Sequence, residues 1–191
     1  MNEKKVANPA PLGLLGFGMT TVLLNLHNAG ILELSVAIIA MGFAMGGLGQ
    51  IIAGLMEFKN KNLFGATAFT AYGLFWWSLI LIWWNPFDST PADSATMGFY
   101  LLLWGVFTAF MFIGTLKHNK ATQVVFFSLA SLFILLSIGD FTESEAVGTF
   151  AGYVGIFCGL SAFYTGVAQV INNEYGKTVL PLGDPKPEKA R

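Results

Sequence analysis

The sequence predicts an all-α integral membrane protein: six transmembrane helices, arranged as three same-orientation hairpin repeats around a pseudo-threefold axis. Three observations carry this. Only 11% of the 191 residues are charged and 54% are hydrophobic, whereas a water-soluble domain carries roughly 25% charged residues and needs them on its surface. The charges punctuate the chain, leaving uncharged stretches at 6–32, 34–56, 62–87, 94–116, 121–139 and 146–173. The basic residues, finally, are sorted to alternate connections.

Each uncharged stretch holds the roughly 17–25 residues that cross a hydrocarbon core of about 30 Å. Helix satisfies every backbone hydrogen bond within one segment there, and none of the six runs alternates as a barrel strand would. Lys4 and Lys5 precede the first span; Lys59 and Lys61 separate the second and third; Lys117 and Lys120 separate the fourth and fifth; Lys177, Lys186, Lys189 and Arg191 follow the sixth. All ten basic residues therefore lie on one side, while Glu33, Asp88, Asp93, Asp140, Glu143 and Glu145 occupy the other. The positive-inside rule puts both termini in the cytoplasm. Residues 1–175 form the transmembrane domain on this reading, and 176–191 a solvated, loosely ordered cytoplasmic tail.

Taken in order, the first span opens with Asn8-Pro9-Ala10-Pro11, an N-cap residue followed by prolines suited to a first helical turn. No small-residue cleavage site follows it, so it reads as a helix that stays in the membrane. The second carries a seam of Gly42, Gly46, Gly49 and Ala53, and the sixth a seam of Gly148, Gly152, Gly155 and Gly159. Small residues at these spacings share one helical face and let backbones approach closely. The third ends in Trp83 and Trp84, suited to the membrane interface. Spans one, three and five repeat a large residue between two small ones: Gly16-Phe17-Gly18, Ala71-Tyr72-Gly73 and Ser128-Leu129-Ala130. The large residues are 55 and then 57 positions apart, one hairpin length, as in parallel repeats.

The spans hold no Lys, Arg, Asp or Glu beyond Glu57 at an end. Fixed intramembrane charges mark relays and ion-coupling sites, so candidate binding groups here are neutral: Asn8, Thr20, Thr21, Asn25, Gln50, Thr67, Thr70 and Thr108. Hydroxyls and amides replace water around a small polar solute without trapping it; the alternative use of each threonine is a back-bond to its own helix. His27, beside Asn25 and Asn28, titrates near neutrality and is either a capping group or a proton-transfer group. A net charge of −1 offers no footprint for nucleic acid. Cys158 is the lone cysteine, so neither a disulfide framework nor a metal cluster is expected. With no catalytic constellation, neither an enzyme nor a cofactor is expected.

The run Asn8-Pro9-Ala10-Pro11-Leu12-Gly13-Leu14, continuing through Gly16-Phe17-Gly18-Met19-Thr20-Thr21, resembles the signature of the acetate uptake transporter family. Leu24-Asn25-Leu26-His27-Asn28, the stretch 67–76, Trp104-Gly105-Val106-Phe107 and Thr178-Val179-Leu180-Pro181 are similar to it too. The resemblance implies a homo-hexamer in the cytoplasmic (inner) membrane, with membrane lipid around it and a solute path through each protomer. It implies transport of acetate and other short carboxylate anions, succinate in some members, by a channel-like or proton-linked route. Phe17, Tyr72 and Leu129 would form a narrow hydrophobic constriction, and Ala162 would correspond to a position tied to substrate range. Export of ammonia or ammonium is the second function the resemblance allows.

Overall fold

Six long helices are present in a computed structural model that describes residues 7–185: α1 (Ala10–Asn28), α2 (Val36–Lys59), α3 (Leu63–Trp84), α4 (Ser94–Thr115), α5 (Lys120–Thr142) and α6 (Glu145–Tyr175). All six are long and apolar enough to cross a membrane, and no strand occurs among the described residues. Each coincides with one uncharged stretch, because a charge can leave water only at a helix end. Lys4, Lys5, Lys186, Lys189 and Arg191 lie outside the described residues. Lys59, Lys61, Lys117, Lys120 and Lys177 stand at one common end of the bundle.

Short polar side chains start the helices by accepting the first free backbone N–H groups. Asn62 accepts from Gly65 at 3.2 Å, Asp93 from Thr96 at 2.8 Å and Asn119 from Thr122 at 2.9 Å. Hydrogen bonding from the Thr96 side chain, and then from its backbone N–H, holds the Asp93 carboxyl below the usual carboxylate range. Asn8 acts from two residues before the helix, accepting from Ala10 N–H at 3.0 Å.

The bundle closes as a ring. α1 lies along α6, α2 along α3, and α4 along α5, while α1 also meets α2 and α5 meets α6. The α3 and α4 backbones stand farther apart because aromatic rings fill the space between them. Phe75 packs edge-on against Trp104 at 5.2 Å, and Tyr72 against Phe107 at 5.6 Å.

The glycine seams work only in part as their spacing suggests. On α6, Gly152 lies against the Asn28 and Ala29 backbone, Gly155 lies under the Asn25 side chain, and Gly159 meets Gly18 of α1. A Cβ on Gly159 would sit 2.7 Å from Val22 N and 2.8 Å from Gly18 O. Gly148 continues the spacing yet faces open space. On α2 the expected face is broken, because Gly42–Gly49 is π-helical and its wider turn shifts the register. Gly49 faces little, while Gly47 takes the Trp77 ring and Gly54 takes Thr70.

The expectation of a loose tail fails for residues 178–184. Asn172 Oδ1 accepts from the Val179 and Leu180 N–H groups at 2.7 and 2.9 Å, and the Tyr164 hydroxyl donates to Pro181 O at 2.8 Å. Lys120 N–H donates to Gly183 O and Ala121 N–H to Leu182 O. α6 has 31 residues, about 46 Å at ~1.5 Å per residue, so its last turns outrun the hydrocarbon and give the returning chain a polar surface.

Substitution of Gly159 by Ala places a methyl on a backbone contact that cannot yield. Overpacking of this kind costs ~1–3 kcal/mol, which corresponds to a fall in melting temperature of about 2–10 °C. Gly148→Ala should be neutral or mildly stabilising, since alanine is the better helix former. Thermal unfolding of the two variants in detergent checks the contrast.

Candidate functional site

A small cavity lies inside the ring. Leu14 and Phe17 of α1, Ala68, Phe69 and Tyr72 of α3, and Val125, Phe126 and Leu129 of α5 line it, with Gln50 of α2. The odd-numbered helices thus supply every lining residue but one. Phe17, Tyr72 and Leu129 are 7%, 4% and 3% exposed, and the Phe17 and Tyr72 rings lie 6.2 Å apart. The cavity measures about 20 Å³, room for roughly one water.

The glycines flanking Phe17 and Tyr72 explain why these two side chains turn inward. Gly16 rests on the Met45 carbonyl of α2, and a Cβ on Gly18 would sit 2.7 Å from Phe163 N of α6. Backbones on either side thereby seat α1 and aim Phe17 between them. Gly73 behaves similarly, with Gly47 O 2.8 Å from where its Cβ would be. The Tyr72 hydroxyl donates to Thr108 Oγ1 at 3.0 Å, and Thr108 in turn donates to Trp104 O at 2.7 Å. This bond ties the ring to α4.

Leu14, Phe69 and Phe126 were not anticipated from the sequence. Each lies three residues before a member of the repeated triad, so the separations of 55 and 57 recur. One helical turn counted back along each inner helix finds this second layer.

Leu14, Ala68, Phe69 and Phe126 also line a larger cavity of about 410 Å³ at the basic end. Its remaining walls mix the polar side chains of Asn8, Glu57, Asn62, Lys117, His118 and Gln169 with Ala10, Phe64, Gly65 and Pro185. Asn8 Nδ2 donates to Gln169 Oε1 at 3.2 Å, and Phe64 packs edge-on against His118 at 4.7 Å. Glu57 is 3% exposed. Sequence reasoning placed it at a helix end without a task; its inward direction follows from the buried face Gln50, Ala53, Gly54 and Glu57 of α2.

Of the candidate binding residues, the structure brings Gln50 to the small cavity and Asn8 to the larger one. The others lie elsewhere. Thr20 donates to Gly16 O at 2.8 Å and packs beneath Gly46 and Trp76. Asn25 donates to Thr21 O at 2.9 Å, accepts from Asn28 at 3.1 Å and fills the notch over Gly155. Thr70 lies against Gly54, and its hydroxyl, like that of Thr21, has no partner among the described residues. Thr67 is half-buried and lines neither cavity; Ala162 is fully buried and lines neither. His27 Nδ1 lies 3.0 Å from Leu32 O, a bond in which the ring nitrogen must donate; it tethers the turn after α1. No group of three or more metal-ligating side chains occurs among the described residues.

Comparison with known proteins agrees with this architecture. The chain is 54% identical over 186 residues to the succinate-acetate/proton symporter SatP of Escherichia coli (strain K12), covering 96% of this chain and 99% of that one. It is 36% identical over 179 residues to ammonia transport outward protein 2 of Saccharomyces cerevisiae (strain ATCC 204508 / S288c), covering 89% of this chain and 64% of that one. The solved structure of the bacterial acetate channel SatP superposes with a TM-score of 0.92 at 53% identity, over 94% of this chain and all of that one. The profile of the GPR1/FUN34/yaaH family matches residues 1–183. With six membrane-spanning helices around an apolar neck and a match along nearly its whole length, this chain belongs to the GPR1/FUN34/yaaH family.

Proposed function

We propose that the chain carries acetate and other short carboxylates, succinate among them, across the cytoplasmic membrane through a path within each protomer. The observation that carries this reading is the pairing of two cavities with shared walls: a chamber carrying amide, ammonium and carboxyl side chains at the basic end and an uncharged neck between Phe17, Tyr72 and Leu129. A chamber lined by Asn8, Gln169 and Lys117 can exchange a carboxylate's water for amide and ammonium contacts. A neck with room for about one water then selects by size and by tolerance for a dry wall. The names of the succinate-acetate symporter and the acetate channel, both more than half identical to this chain, support the same substrate class. Nothing in this reading calls for catalysis.

The sorting of lysines supports a topology with this chamber facing the cytoplasm. Apolar side chains such as Leu103, Phe110, Phe150 and Phe157 stand 58–71% exposed on the outer faces of α4 and α6. Together with the family likeness, they support a homo-hexamer in which some of these faces meet neighbouring protomers and the rest meet lipid. A second reading, export of ammonia or ammonium, draws on the yeast relative's name. Among the described residues the neck offers that cation no acidic side chain.

Two measurements test the assignment. In liposomes holding the purified protein, labelled acetate uptake should exceed that of protein-free liposomes, and ammonium-induced changes of internal pH should not. The reverse result would favour the ammonia reading. Leu129→Ala and Phe17→Ala should each raise the lactate-to-acetate uptake ratio by about tenfold, the scale set by a few methylene groups in an apolar pocket. An unchanged ratio in both variants removes the constriction from these residues.

A further inference from the structure

The neck is dry although two of its lining residues, Gln50 and Tyr72, carry polar groups. Its wall exposes only carbon, so both side chains turn their polar ends elsewhere. Gln50 Nε2 donates to Gly46 O at 2.7 Å. The Tyr72 hydroxyl donates to Thr108 Oγ1 at 3.0 Å, its one hydrogen bond among the described residues. Thr108 is fully buried on α4, a helix that supplies no residue to the neck. The direction of these bonds is fixed. Trp104 O can only accept, so the Thr108 proton is spent there at 2.7 Å, and the bond between the two hydroxyls must carry the Tyr72 proton.

Aromatic rings enclose Tyr72. Phe107 and Trp104 of α4 lie 5.6 and 6.1 Å from it, Phe126 of α5 lies at 6.1 Å and Phe17 of α1 at 6.2 Å. Phenylalanine has no acceptor atom and the tryptophan ring nitrogen only donates, so none of these neighbours can replace Thr108. The neck that Tyr72 lines is where a water or a solute can take the proton instead, and a buried O–H without a partner is costly enough to turn the ring that way. The bond to Thr108 thus decides whether this part of the path presents carbon or a hydroxyl. That choice bears on what passes. Against carbon, a solute hydroxyl loses its water and gains nothing, and an apolar pocket disfavours a hydroxyl-bearing isostere by up to about 100-fold.

Resting on the transport reading above, we infer that Thr108 is a specificity-determining positioning residue. From outside the path, it draws the Tyr72 hydroxyl out of the neck, and so keeps the passage poor in water and selective for plain short acids over hydroxylated ones. Thr108 touches no solute. It acts through the Tyr72 ring alone, so its effect exists only while that ring carries a hydroxyl.

The test uses the full chain in liposomes, with protein-free liposomes subtracted. Uptake of labelled glycolate is compared with that of labelled propionate, which has a methyl where glycolate has its hydroxyl, and osmotic water flow is followed by stopped-flow light scattering. The unaltered protein should prefer propionate. Thr108→Val keeps the shape and removes the hydroxyl; it should raise the glycolate-to-propionate ratio about fivefold, the scale of one net hydrogen bond, and raise water flow with it. Thr108→Ser, which keeps both bonds, should do neither. On a Tyr72→Phe background, Thr108→Val should shift neither quantity, whereas a packing role for Thr108 would act there too. An unshifted ratio in Thr108→Val, or the same shift with and without the tyrosine hydroxyl, overturns the inference and leaves transport standing. Should only acetate pass, water flow decides by the same pattern. If Thr108→Val alone does not fold, the double variant decides: melting at the temperature of Tyr72→Phe supports the inference, and failure to fold overturns it. Absence of protein-dependent movement of all three acids overturns the transport reading, and the inference with it.

Discussion

Exclusion of water from the middle of the bundle governs everything else in this protein. Backbone groups there can pair only along helices, polar side chains must find protein partners, and charges are confined to the ends. The same dryness sets the terms for any solute. Transfer of an ionised carboxylate into a low-dielectric interior costs of order 20 kcal/mol in the ideal case, and still several kcal/mol after relaxation. Adding a proton at pH 7 to a carboxyl of ordinary pKa costs only ~4 kcal/mol. A neck with no compensating cation therefore favours the smaller penalty.

Close backbone approach gives the neck its shape. Where Gly18 of α1 and Gly159 of α6 meet, no side chain separates the helices, and Gly16 on the opposite flank touches the α2 backbone. Phe17 is left one direction to point. Tyr72 is held differently, by Gly73 against α2 on one side and by its hydroxyl bond to Thr108 of α4 on the other. The aromatic layer between α3 and α4 keeps those two backbones apart and walls the inner helices from lipid. Loosening any of these seams would widen or collapse a passage that now admits about one water.

The π-helical turn in α2 joins packing to chemistry. A regular α-helix through Gly42–Gly49 would carry Gly49 in register with Gly42 and Gly46. The wider turn instead presents Gly47 and Gly54 to α3 and brings Gln50, Ala53 and Glu57 to the inside. Gln50 thus stands at the neck, with Glu57 about 10 Å further along the same face at ~1.5 Å per residue. The first side chain is neutral where the wall is dry; the second is ionisable where the chamber meets water.

Spans, their number and the sorting of charge were legible without coordinates, because a membrane punishes charge residue by residue and the penalty is written in composition. The triad of Phe17, Tyr72 and Leu129 was legible as a repeat, and its second layer of Leu14, Phe69 and Phe126 obeys the same interval. Partners were not legible. Thr20 and Asn25 look like binding groups in a list of polar residues, yet their hydrogen bonds are spent inside the bundle, Asn25 on its own helix and Thr20 on Gly16 O and on Met41 O of α2. Gly148 continues a seam yet turns its Cα hydrogens to open space, and the residues after Gly176 look like tail composition until Asn172 and Tyr164 bind them. A sequence specifies which side chains a helix presents and how often; which neighbour each one meets depends on the crossing of separate helices, and a π-turn too local to show in periodicity changes that crossing. Only the tertiary structure, therefore, turned the Tyr72 hydroxyl away from the neck and onto Thr108 of α4.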